Sequence, residues 1–151
     1  MRAATTRWAG GITRGLGLRF VTLWLQGPTL VIVRSTTGHT FGGYATAPWT
    51  SAQGYTNVGG CFLFLVENPH NDAPTCFECK SSSTAMSCCC GGLYGPTFGG
   101  GHDTCIHHQG DAGQSYVGFS HSYADALGRG SATFTGDRIF TPEDYEVWAV
   151  N

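Results

Sequence analysis

The residues best equipped for chemistry gather in one stretch, "YGPTFGGGHD" (Tyr94–Asp103), with "SCCC" (Ser87–Cys90) just upstream. A glycine-rich loop can cradle a phosphate, and adjacent His102 and Asp103 can bind a metal or exchange protons. The phosphate reading fails its tests. There is no G-x-x-x-x-G-K-[ST], Gly99–Gly101 opens no helix, and Thr104 stands where a dinucleotide fingerprint needs its third glycine. Gly99, Gly100 and Gly101 are therefore read as architecture, letting two backbones approach or allowing positive φ beside a strand. "GFSHS" (Gly118–Ser122) falls short of a nucleophile elbow, because Ser122 occupies the second glycine position and no strand-then-helix pattern surrounds it. Ser120 is read as a loop serine.

Metal chemistry is the stronger rival. Cys76 and Cys79 have chelate spacing, and Cys88, Cys89, Cys90, Cys105, His102, His107 and His108 could supply a second pair. However, "CCC" is not a C-x-x-C, and only eight residues separate the two groups. The expectation is reduced thiols, no metal and no cofactor, with Cys76, Cys79, Cys88 and Cys90 as the zinc candidates to watch. On a strand Cys105 and His107 share a face, so a thiol–imidazole pair is geometrically possible, although no third, orienting group can be placed. Glu143, Asp144 and Glu146 read as a solvated turn, not as paired catalytic carboxylates.

Those side chains must be held by something, and composition points to strands. The chain has 151 residues, enough for one domain with its own core. It carries 23 glycines, about twice average usage, with 13% aromatic and 12% charged residues. Gly-rich, aromatic-rich and Lys-poor together favour a β-rich domain with tight turns. Residues 1–66 hold no acid, but carry Arg2, Arg7, Arg14, Arg19 and Arg34. Residues 67–151 hold all ten acids against Lys80, Arg129 and Arg138, a net of −7. No Lys/Arg cluster is dense enough to follow a phosphate backbone, which argues against nucleic acid. "FVTLWL" (Phe20–Leu25) is too short for a membrane span and too late for a secretory signal. An intracellular, cytoplasmic protein is expected. The Arg-bearing, acid-free start has the composition of a mitochondrial leader, but Gly10, Gly11, Gly15 and Gly17 would spoil its helix.

Along the chain, residues 1–26 show no clean period and are read as a divergent or poorly ordered segment preceding a domain over 27–151. "TLVIVR" (Thr29–Arg34) and "TFGGYA" (Thr40–Ala45) predict a hairpin turning at Gly38 with positive φ. "CFLFLVE" (Cys61–Glu67) is the next core strand, and Pro69–Cys90 reads as a hairpin or a long surface excursion. A short strand is predicted around Asp103–His107. "SATFTG" (Ser131–Gly136) and "DYEVWAVN" (Asp144–Asn151) predict two closing strands, with one helical turn at Thr141–Asp144. Trp148 and Phe64, on the clearest strands, are expected in the core.

Four ordered blocks resemble the TLDc domain family: Gly27–Trp49, Cys61–Thr75, Tyr94–Asp103 and Phe134–Val150. The resemblance implies a mainly β fold, a two-sheet antiparallel β-sandwich with short flanking helices. Gly42, Gly43, Gly99, Gly100 and Gly101 match the family's glycine positions. Phe41, Trp49, Phe62, Phe64, Tyr145 and Trp148 match its aromatic core positions, and Glu146 its acidic one. The family opens with a strand and a helix that residues 1–26 do not display. By resemblance, the expected function is a non-enzymatic protein-binding module of oxidative-stress resistance, with subunits of the vacuolar-type proton pump (V-ATPase) as partners. Its interaction residues would be drawn from the glycines with His102, Asp103, Glu146 and Trp148. The alternatives are a thiol-dependent antioxidant enzyme using Cys105 or the Cys88–Cys90 cluster, and a zinc-stapled structural module.

Overall fold

A computed structural model describes residues 6–10, 27–49, 54–80, 86–87, 94–107 and 114–150. Among them the chain forms β1 (Thr6–Gly10), β2 (Thr29–Ser35), β3 (Thr40–Ala45), β4 (Tyr55–Thr56), β5 (Phe62–Glu67) and β6 (Thr75–Glu78). There follow β7 (Met86–Ser87), β8 (Tyr94–Phe98), β9 (Thr104–His107), β10 (Ser115–Tyr116), β11 (Ile139–Phe140) and β12 (Pro142–Ala149). Two antiparallel sheets result, ordered β1-β12-β2-β3-β5-β6 and β11-β10-β9-β8-β7-β4. The predicted β2–β3 hairpin is present and turns at Gly38 with φ +83°. The excursion after Pro69 contributes β6 to one sheet and β7 to the other.

Inner side chains of both sheets meet in one hydrophobic cluster. Val31, Leu63 and Phe77 come from the first sheet, and Phe98, Ile106 and Phe140 from the second. Gly43 sets their approach. A Cβ there would lie 2.6 Å from the Phe98 ring, so only a bare backbone lets Phe98 close down on β3. Trp49 meets Phe98 edge-on at 5.2 Å, and its indole N–H donates to the Thr29 hydroxyl at 2.9 Å, so its polar atom is satisfied in the core.

Four expectations are corrected. The closing strand at Ser131–Gly136 does not form: Gly130–Ala132 is a 3₁₀ turn, and Gly130 and Gly136 take φ of +54° and +88°. The Phe134 side chain anchors that turn in the core, with rings of Phe41, Phe119 and Phe77 at 5.1, 5.4 and 5.7 Å. The helical turn at Thr141–Asp144 is also absent. Pro142 begins β12, a position where its missing N–H costs the ladder least, and the register shifts between Pro142 and Asp144. No flanking helices stand among the described residues beyond the 3₁₀ turn. Finally, Trp148 and Phe64 lie on the outer face, half-buried, because their neighbours Val147, Ala149, Leu63 and Leu65 take the inward positions. Phe41, Trp49 and Tyr145 are core residues, whereas Phe62 joins the outer group. The opening segment, without a readable period, supplies β1, paired to β12 from Thr6↔Ala149 to Gly10↔Tyr145.

The corrected placement changes what a substitution does. Trp148→Ala should stay soluble and lose on the order of 1–2 kcal/mol, because a half-exposed ring leaves no closed cavity. Its indole N–H donates to Glu146 at 2.9 Å on the same exposed face. A thermal melt checks this, and an insoluble variant would show that the face is covered.

Candidate functional site

The glycine cluster is the turn between β8 and β9. Gly99 takes φ +83°, His102 takes φ +55°, and the His102 N–H donates to the Gly99 carbonyl at 3.1 Å. Adjacent His102 and Asp103 point apart, as successive residues entering a strand must. His102 stays half-buried, where its Nδ1 is hydrogen-bonded to the Tyr116 hydroxyl. Asp103 turns fully inward.

Its carboxylate is spent on a second loop. The N–H groups of His121, Ser122 and Tyr123 donate to it at 2.8, 2.9 and 3.2 Å. Burial pushes the carboxyl above the usual range, while the same three N–H groups pull it back. The loop answers from its own side: Ser122 Oγ accepts the Gly100 N–H at 2.9 Å, and the Gly118 N–H donates to the His102 carbonyl at 2.9 Å. Lys80 completes the clasp, its Nζ donating to the Ser120 and His121 carbonyls at 3.3 and 3.2 Å. Glycine is required both inside the turn and where the two loops touch. A Cβ on Gly99 would stand 1.9 Å from Asp103 Oδ1, and one on Gly101 2.4 Å from the His121 ring. The arrangement is a buried anion holding a row of backbone dipoles, which positions two loops. As a proton shuttle it would first have to release its donors.

The thiols are scattered. Cys61 and Cys105 are buried, Cys79 is half-buried and Cys76 exposed. Three residues apart along one extended segment, Cys76 and Cys79 take opposite faces. Burial pushes the Cys79 thiol up, away from thiolate character. No group of three His, Cys, Asp or Glu placed to hold a metal occurs among the described residues. Cys88, Cys89, Cys90 and His108 lie outside the described residues. Cys105 and His107 do stand on β9 with both side chains buried, the imidazole included. Glu146 accepts from Trp148 on the far side of the first sheet, so it does not join the glycine turn.

Sequence reasoning missed the partners of Asp103. They are backbone N–H groups, which every residue but proline carries, so "SHSY" (Ser120–Tyr123) announces nothing except the Ser122 hydroxyl. It also missed the His102–Tyr116 pair, since the two residues stand 14 apart in the chain, beyond any local spacing. No helix of the described residues is long and apolar enough to cross a membrane.

No curated protein matches the chain. The family model for the TLDc domain matches residues 19–151, and so includes the Gly99–Asp103 turn, the loop that clasps it and the closing β12. With that match over most of its length, the chain belongs to the TLDc domain family.

Proposed function

We propose that this TLDc domain is a non-enzymatic protein-binding module of oxidative-stress resistance, and that its partner is a vacuolar-type proton pump. Family membership supports the oxidation-resistance setting. The observation that carries the non-enzymatic reading is the fate of Asp103, whose buried carboxylate accepts three backbone N–H groups. Full burial of the Cys105 thiol points the same way, since a nucleophilic thiol must meet its substrate. What the turn does offer is an exposed edge, Gly101 and His121, held rigidly by the clasp below.

The experiment compares wild type with Gly101→Ala for capture of proton-pump subunits from a cell lysate, alongside thermal melting. The added methyl would stand 2.4 and 2.5 Å from Cγ and Cβ of His121, and Cβ moves only with its backbone, so the loop must shift. The melting midpoint should fall clearly, and capture by the fraction that stays folded should weaken as well. Wild type that retains no pump subunit would overturn the partner. Peroxide or ester turnover by wild type that disappears in a folded Gly101→Ala would replace binding with catalysis.

A further inference from the structure

The outer face of the second sheet carries reactive side chains that the clasp does not use. Across the ladder Tyr94 pairs with His107 and Tyr116 with Cys105, while Ile106 and Val117 between them face the core. His102 leans in from the turn. The Tyr94 ring lies 4.7 Å from that of His107 and 5.8 Å from that of His102, and the His102 and Tyr116 rings are 5.9 Å apart. The Tyr116 hydroxyl is hydrogen-bonded to His102 Nδ1, and the Arg138 guanidinium sits 5.8 Å from the Tyr116 ring centre. Tyr116 is only partly buried, so the residue meets solvent.

We propose that Tyr116 is a one-electron donor site for small oxygen-centred radicals of the peroxyl class, with His102 Nδ1 receiving the phenolic proton. A phenol that loses an electron becomes a strong acid, so oxidation is easy only where a base already holds the proton. The His102–Tyr116 hydrogen bond supplies that base. Arg138 opposes electron loss, because a cation over the ring holds the electron-rich phenol more tightly than the oxidised ring, so the electron leaves only if the proton leaves with it. Burial lowers the affinity of His102 for a proton, so the ring is neutral near pH 7 and offers its lone pair. Burial also pushes the Tyr116 hydroxyl up, so no phenolate forms beforehand, and electron and proton leave together.

The step balances. One electron passes from the Tyr116 ring to the peroxyl radical, which takes a proton from water and leaves as a hydroperoxide. The phenolic proton moves to His102 and returns to solvent, leaving a neutral phenoxyl radical on Tyr116. Peroxyl is reduced and Tyr116 oxidised, one equivalent each. The site acts stoichiometrically and needs no bound partner, so it stands or falls apart from the pump-binding reading.

The test exposes the full chain to peroxyl radicals from an azo initiator in aerated buffer, then records high-field electron paramagnetic resonance after rapid freezing. Wild type should give a tyrosyl spectrum with the g-shift of a hydrogen-bonded phenoxyl. Tyr116→Phe, which keeps the ring and its packing, should lose that signal. His102→Gly suits the positive φ at that position and should shift the spectrum towards that of a phenoxyl left with only the Cys105 thiol beside it. Tyr94→Phe should leave it unchanged, and wild type in D₂O should form the radical more slowly. An unaltered spectrum in Tyr116→Phe overturns the donor. An unaltered spectrum in His102→Gly, or equal rates in H₂O and D₂O, overturns the proton acceptor.

Discussion

Asp103→Ala is expected to unfold the domain or leave it barely folded. The substitution removes the acceptor for the N–H groups of His121, Ser122 and Tyr123, in a place with no exposed surface through which water could replace it. A buried donor left unpaired costs about 1–3 kcal/mol, and three are orphaned together. The loss is then on the order of 5 kcal/mol, set against a typical domain stability of about 5–15 kcal/mol. Part is returned, since a buried charge no longer has to be desolvated, which is why Asp103→Asn is the informative companion. Asparagine keeps the shape and one acceptor oxygen, but turns an amide N–H₂ towards N–H donors. It should fall between wild type and alanine in a denaturant titration. Alanine melting within a few degrees of wild type would mean that the clasp is ornamental.

Phe134→Ala is the other large effect. The residue sits in a turn, yet its ring meets Phe41, Phe77 and Phe119, from both strands and loops, at centroid distances of 5.1–5.7 Å. It has no exposed surface. Truncating such a phenylalanine costs about 3–5 kcal/mol, made of lost transfer energy and the cavity left among rings that cannot collapse inward. Soluble yield and chemical denaturation should both drop sharply, well beyond the effect of Trp148→Ala. Had Ser131–Gly136 been an edge strand with Phe134 half-exposed, the two variants would behave alike, so the pair of measurements discriminates between the arrangements.

That contrast marks where residue patterns stop being informative. Both faces of the first sheet are apolar: Leu30, Ile32, Phe62, Phe64 and Trp148 outside, Val31, Val33, Leu63, Leu65 and Val147 inside. Alternation therefore identified the strands without saying which face is the core, and a one-residue ambiguity put the tryptophan on the wrong side. Tyr116 and His102 are 14 residues apart and come together only because β10 lies beside β9. No local spacing could have paired them.

Residue patterns alone show that the chain is built from strands, locate β2, β3, β5, β9 and the body of β12 but not its start at Pro142, put Gly38 in the β2–β3 turn, and carry the family resemblance. Those features depend on local rules: β-branched and aromatic runs favour extended backbone, and glycine alone takes positive φ without strain. Tertiary structure decided the rest. It chose the inward face of each strand, drew Phe134 from a turn into the core, and converted His102 and Asp103 from one apparent acid–base pair into two separate contacts. Each of these depends on which groups distant in the chain arrive within 3–6 Å of one another, and above all on backbone N–H donors whose positions no side-chain pattern records.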